Sequence, residues 1–406
     1  MKKFSLICLA LLCLILCSCG EKAEKKVVNV YSWGEYISDG SEDSLDSNAA
    51  FEQYYFEKYG EEIEVVYTTY ASNEDMYAKL KSGASGYDVI VPSDYMIERL
   101  IKEGMLQPID FSNVPNYANI GDDFKNLYYD PENLYSVPYT YGMVGVIYNP
   151  NFVEEADAAS ESWDLMWNEK YAGRILQFNN SRDAFGTAMY KLGISVNDAT
   201  EEEWRVALEE LKKQQPHVQS YVMDEIYNKM ESGEAAISAY YAGDYLSMLD
   251  NNDELLFYYP KADGKIRTNL FVDAYCIPKD APNKTLAEEY INYMLSEEPA
   301  IANAEYIYYA SPNKAVYENE EYIEYMGEDM EVLYPEGFSF KENYNAMSYH
   351  NLDADTLMLV NKLWEELKIS SATGETVYVL AVVIIVGLVG YAVFHTLRKR
   401  KRAKYY

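Results

Sequence analysis

Apolar and polar positions follow two alternating periods through residues 27–368. Val27-Val28-Asn29-Val30-Tyr31-Ser32-Trp33 is rich in β-branched and aromatic residues in near alternation, which predicts a strand over 27–33. A Gly/Ser/Asp-rich stretch, 39–48, follows and predicts a loop. Helical spacing over 51–59 gives way to alternation over 63–68, and a new helix opens at Ser72-Asn73-Glu74 with Asn73 as its cap. Residues 87–91 form a short, almost wholly apolar run, the pattern of a strand covered on both faces of a parallel sheet, and 95–103 is helical in spacing. Further strands are expected at 143–148, 175–178, 236–240 and 270–277, with helices at 184–192, 201–214 and 223–232. Beyond 277 the pattern is mainly helical to 368. This succession predicts an α/β fold, and 406 residues exceed what one core ordinarily serves, so two lobes are expected. No internal repeat and no phosphate-binding glycine loop interrupts the pattern.

Two apolar segments stand outside it. Met1-Lys2-Lys3 leads into the apolar residues 4–17, so 1–19 reads as a secretory signal peptide. The segment ends Leu16-Cys17-Ser18-Cys19-Gly20, which resembles a bacterial lipobox and implies a lipid on Cys19; an ordinary cleavage site nearby is the plainer alternative. Residues 376–397 contain no Asp, Glu, Lys or Arg and are long enough to span about 30 Å of hydrocarbon as a transmembrane helix. Six basic residues follow within 398–406, which by the positive-inside rule places that tail in the cytoplasm and residues 20–375 outside. Short polar linkers are expected at 20–26 and 370–375, leaving 27–369 as the folded domain.

Charge and cysteine narrow the function. The chain carries 34 Lys and Arg against 66 Asp and Glu, a net charge of -32, and the basic residues at its two ends leave 20–376 more acidic still. Such a surface is a poor partner for nucleic acid, whose phosphates need Lys and Arg, and an attractive one for a cationic ligand. Four of five Cys fall in the first 19 residues, leaving Cys276 alone in the body as a small core residue. A disulfide framework is thereby excluded, and three scattered His make a metal site unexpected.

Several stretches then take on a family character: YSWGEY at 31–36, TTYASNEDMYAKL at 68–80, YDVIVPSDYMIERLIKEGMLQPID at 87–110, YSVPYTYGMVGVIYN at 135–149, KYAGRI at 170–175, AYYAGDYL at 239–246 and NLFVDAYCIP at 269–278. In order and spacing they resemble the bacterial spermidine/putrescine-binding proteins of ABC importers, over nearly all of 27–368. The resemblance implies a two-lobed periplasmic-binding-protein fold with hinge strands, a monomeric binding domain, no enzymatic activity and no cofactor. It implies a polyamine ligand and, as partners, a membrane permease and its ATPase. The chain would cross between lobes near 138–144 and 273–278. The first lobe would take about 27–139 plus a segment after 275, and the second about 140–274 plus part of the C-terminal helices.

The same resemblance points to a ligand set. Trp33 and Tyr36 end the first strand as an aromatic wall, and Ser93 and Tyr95 follow the buried strand at its carboxyl end, where open α/β sheets place ligands. Asp183 matches an acidic ligand, with Asn180 where spermidine binders carry a second carboxylate. Tyr241 and Phe271 stand where Trp is usual, Asp244 matches an acid of putrescine binders, and Tyr309 adds an aromatic face. Asp273 is the most diagnostic carboxylate, and His350 lies near a position that is usually Gln. Aromatic faces and carboxylates suit a chain of CH₂ groups carrying ammonium ions. Asn180 removes one charge from the spermidine pattern, so the set leans toward putrescine or another short diamine. The plainer alternatives are a salt bridge for Asp273, a helix cap for Asp183 and a loop acid for Asp244. Thiamine or ferric iron as cargo, a membrane-tethered polyamine sensor, and a glycoside hydrolase using Asp244 and Asp273 are the competing functions.

Overall fold

The computed structural model describes residues 25–83 and 86–372. The residues expected to form a signal peptide (1–19, with Cys19), a transmembrane helix (376–397) and a basic tail (398–406) lie outside the described residues. Among the described residues no helix is long and apolar enough to cross a membrane.

Strands β1 (Lys26–Trp33), β2 (Ile63–Tyr70) and β3 (Val89–Ile90) are parallel, with β1 in the middle. Two long antiparallel strands follow in the sheet, β11 (Leu270–Cys276) beside β3 and β4 (Ser136–Tyr148) beside β11. The far half of β4 pairs with β7 (Ile237–Tyr241), which is parallel to β5 (Ile175–Phe178), itself parallel to β6 (Val218–Val222). β8 (Leu256–Tyr258) pairs on the end of β4, and β9 (Lys261–Ala262) and β10 (Lys265–Ile266) form a separate small ribbon.

Two hydrophobic cores flank this sheet. One gathers Val28, Phe51, Ile63, Ile97, Leu270, Cys276 and Tyr290; the other gathers Val146, Phe178, Phe185, Trp204, Ile237, Leu363 and Leu367. These are the two lobes of an α/β periplasmic-binding-protein-like fold. β4 passes from one core to the other, with Tyr139 and Met143 in the first and Val144 and Val146 in the second. All of β11 except Asp273 packs in the first core. A third crossing comes where Tyr141 pairs with Ala310.

Local chemistry moves several boundaries. The helix Ser47–Tyr59 begins inside the expected loop because Asp46 caps it, accepting from the Ala49 N–H at 2.9 Å. Ser72, not Asn73, caps the helix Asn73–Lys81, and Asn73 is left free for other bonds. The helix Ser181–Leu192 begins three residues early, capped by Asn180, whose Oδ1 accepts from the Asp183 N–H at 2.8 Å. β4 starts seven residues before the expected 143, because it is buried on both faces and shows no alternation. The last helix runs through Ala372, so residues 370–372 extend it and do not begin a linker.

Candidate functional site

Every parallel strand ends on one cleft between the lobes. β1 delivers Trp33, Gly34 and Tyr36; β2 delivers Tyr70 and then Ser72–Glu74 at a helix start; β3 delivers Ser93, Asp94 and Tyr95. From the other lobe β5 delivers Asn180 and Asp183, β6 delivers Met223 and Asp224, and β7 delivers Tyr240, Tyr241 and Asp244. The crossing segments add Phe271 and Asp273 from β11 and Tyr309 from the third crossing. The space between these side chains, counted out into the open mouth of the cleft, is about 800 Å³. All eleven residues expected at the ligand line it. His350 does not: it stacks on Tyr128, with ring centroids 3.9 Å apart, and its neighbour Tyr349 lines the cleft instead.

Two of the cleft tyrosines are set by uncommon backbone. Glu35 and Tyr308 are non-glycine residues with φ of 48° and 56°, and each directly precedes a cleft side chain, Tyr36 and Tyr309. The two rings meet edge to face at 5.2 Å. Such conformations cost on the order of 1–3 kcal/mol and persist where the surroundings fix them. Trp33 packs on Tyr70 at 4.7 Å, and Tyr241 on Phe271 at 5.4 Å, so that the walls are aromatic on both lobes.

The carboxylates are held by neutral donors. Tyr36 Oη donates to Asp273 Oδ2 at 2.6 Å, the backbones of Ser93 and Asp273 form an antiparallel bridge, and Asp273 Oδ1 is buried with no hydrogen-bond partner. Burial pushes the Asp273 carboxyl up to about 6, against its bonds from Ser93 and Tyr36. That is a bias against ionisation on the order of 3 kcal/mol. No salt bridge accounts for Asp273. Asp244 accepts from Tyr227 and Tyr309, and burial likewise pushes it up to about 6. Asp183 Oδ2 accepts from Asn180 Nδ2 at 2.6 Å and Tyr241 Oη at 2.8 Å, and burial raises its pKa. Because Asn180 performs the capping, the Asp183 carboxylate is free to face the cleft. No Lys or Arg lines the site.

Three polar residues that the sequence reading passed over belong here. Glu74 accepts from Tyr95 Oη at 3.0 Å, and Asn73 donates to Ser93 Oγ at 3.0 Å and to Tyr95 Oη at 3.2 Å. Asp224 stands at the mouth, where a Cβ on Gly34 of the opposite lobe would lie 3.5 Å from its Oδ2. Glu74 and Asp224 both follow strand ends, the signal that located Ser93 and Tyr95. Among the aromatic walls, Tyr349 carries no such signal. Asp94 also lines the site, but its carboxylate is turned to structure: it accepts from the Val272 N–H at 3.2 Å and Tyr344 Oη at 2.7 Å.

Comparison with known proteins agrees with this geometry. The family model described as bacterial extracellular solute-binding protein matches residues 49–327. The spermidine/putrescine-binding periplasmic protein of Escherichia coli is 33% identical over 307 residues, covering 75% of this chain and 83% of that protein. A putrescine-binding periplasmic protein of Pseudomonas aeruginosa is 30% identical over 318 residues, covering 73% and 82%. Among solved structures, the spermidine/putrescine ABC transporter substrate-binding protein of Streptococcus pneumoniae superposes with a TM-score of 0.67 at 30% identity, covering 86% of this chain and all of that one.

Proposed function

The chain belongs to the bacterial extracellular solute-binding proteins, and on that premise we propose that it captures a polyamine outside the cytoplasm and hands it to an ABC permease. The family is one of transport components and not of enzymes. One observation carries the ligand class: the cleft holds Glu74, Asp183, Asp224, Asp244 and Asp273 among aromatic walls with no Lys or Arg in its lining. Uncompensated, these groups resist ionisation, as Asp244 and Asp273 at about 6 illustrate. A ligand ammonium supplies the missing charge, with each charge-assisted bond contributing about 1.5–3 kcal/mol. The aromatic faces hold its CH₂ groups and add cation–π attraction. Asn180 in place of an acid, and two-sided use of Asp244 by tyrosines, favour putrescine or another short diamine.

The domain is anchored to the membrane, by a lipid on Cys19 and by a helix over 376–397 whose basic flank stays in the cytoplasm. The apolar run and its flank support the helix, and the lipobox-like residues support the lipid. A thermal-shift panel on the full-length chain tests the cargo, using putrescine, cadaverine, spermidine, spermine, thiamine and ferric iron. The largest shift is expected with putrescine or cadaverine. A shift confined to thiamine or iron would replace the ligand and leave the fold assignment in place.

A further inference from the structure

Glu74 stands on the first lobe and Asp183 on the second, each in the opening turn of a helix that follows a parallel strand. Both line the cleft. Helix N-termini favour negative charge, which suits each carboxylate taken singly. Together they are unbalanced. Burial raises the Glu74 carboxyl and the charge on Asp183 raises it further, while the Arg182 charge lowers both Glu74 and Asp183. Their hydrogen-bond donors are uncharged, Tyr95 for Glu74 and Asn180 with Tyr241 for Asp183.

One protein cation, Arg182, acts on both carboxylates, so the pair keeps one negative charge in excess. Arg182 is 5% exposed, and its guanidinium lies 4.6 Å from the Tyr349 ring centroid and 5.7 Å from that of Tyr95. Its Nη2 donates to the His350 carbonyl at 3.4 Å, while Nε and Nη1 have no hydrogen-bond partner. Neither carboxylate takes a hydrogen bond from it. A space with one carboxylate from each lobe and tyrosine walls is therefore left for a cation from outside.

Resting on the polyamine reading, we infer that Glu74 and Asp183 together seat one terminal ammonium of the ligand, and that Glu74 sets the preference for ligands with two charges. An ammonium has three donors and no acceptor, so it can serve a carboxylate from each lobe at once. The second ammonium goes to Asp273, a residue 4% exposed whose Oδ1 has no hydrogen-bond partner. The negative charge that Asn180 lacks is thus supplied from the opposite lobe. Bridging also converts repulsion between the lobes into attraction, so this seat draws the cleft shut.

The test compares putrescine with 1-butylamine by calorimetry on the full-length wild type, Glu74→Gln and Tyr95→Phe. A monoamine can occupy the Asp273 seat alone, so it does not need Glu74. Glu74→Gln is expected to weaken putrescine by about tenfold or more, the loss of one charge-assisted contact, with butylamine changed by less than about twofold. Tyr95→Phe removes the hydroxyl on Glu74 but keeps the carboxylate, and is expected to preserve the diamine-to-monoamine ratio. A Glu74→Gln protein that keeps the wild-type ratio overturns the seat while leaving the polyamine reading intact. A wild type that binds no amine overturns both.

Discussion

The outer surface and the cleft carry the same kind of charge and treat it in opposite ways. On the surface a carboxylate is met by cations. Glu103 is opposed by partial burial, yet Lys81 and Arg99 bind it and bring its carboxyl down to about 2. In the cleft Asp244 and Asp273 meet only uncharged donors, mainly tyrosine hydroxyls, and burial takes them up to about 6. Exposed pairs contribute about 0–1 kcal/mol each and can be exchanged at little cost. The cleft acids work against the fold until a cation arrives. Net charge alone therefore says little about function; the location of the uncompensated part says a great deal.

The contrast is broken most directly at Asp273. Asp273→Asn is expected to reduce polyamine affinity about a hundredfold or more by calorimetry, since a buried charge pair loses one member. The same change is expected to raise the melting temperature of the ligand-free chain at pH 7, because a carboxylate held against ionisation is removed. A fall in both quantities would make Asp273 a structural residue.

Acidification gives the next largest effect, with opposite signs for the two states. Asp244 and Asp273 sit near 6 in the folded chain against an ordinary 3.8, so between about pH 4 and 6 the folded chain holds protons that the unfolded chain has released. Ligand-free stability is expected to rise as pH falls from 7 to 5. Ligand affinity is expected to fall over the same interval, up to about tenfold per unit for each proton that must leave. Melting curves with and without putrescine at pH 7, 6 and 5 check both signs. The surface acid Glu103, already below the ordinary range, belongs to a window under pH 4.5 and does not interfere.

Glu103→Gln sharpens the comparison from the other side. Its loss of the two pairs with Lys81 and Arg99 is expected to lower stability by no more than about 2 kcal/mol and to leave affinity within about twofold. A larger change in affinity would show that the surface field, and not the cleft, gathers the ligand.

Much of the site was legible because strand ends are legible. A short apolar run followed by Ser93 and Tyr95 announces a carboxyl end, and the family blocks 239–246 and 269–278 contain Asp244 and Asp273. The structure brings all eleven expected residues to one cleft. What escaped depended on three-dimensional neighbours. Tyr349 reaches the cleft from a loop whose sequence gives no strand end. Asp183 looked like a cap until Asn180 proved to fill that role, a choice decided by which side chain meets the Asp183 N–H. The early start of β4 was hidden because a crossing strand buried on both faces has no alternation to read. The division of β11 also required packing, since an apolar strand fits either core equally well by pattern.

The described chain enters through β1 in the first core and leaves through the helix Ala354–Ala372, whose Val360, Leu363 and Leu367 belong to the second. Its two ends are thus fastened to opposite halves of the molecule. Tension between those ends would travel through the segments that cross between the cores. Because the two ends belong to different cores, the distance between them gauges how far apart the two halves stand.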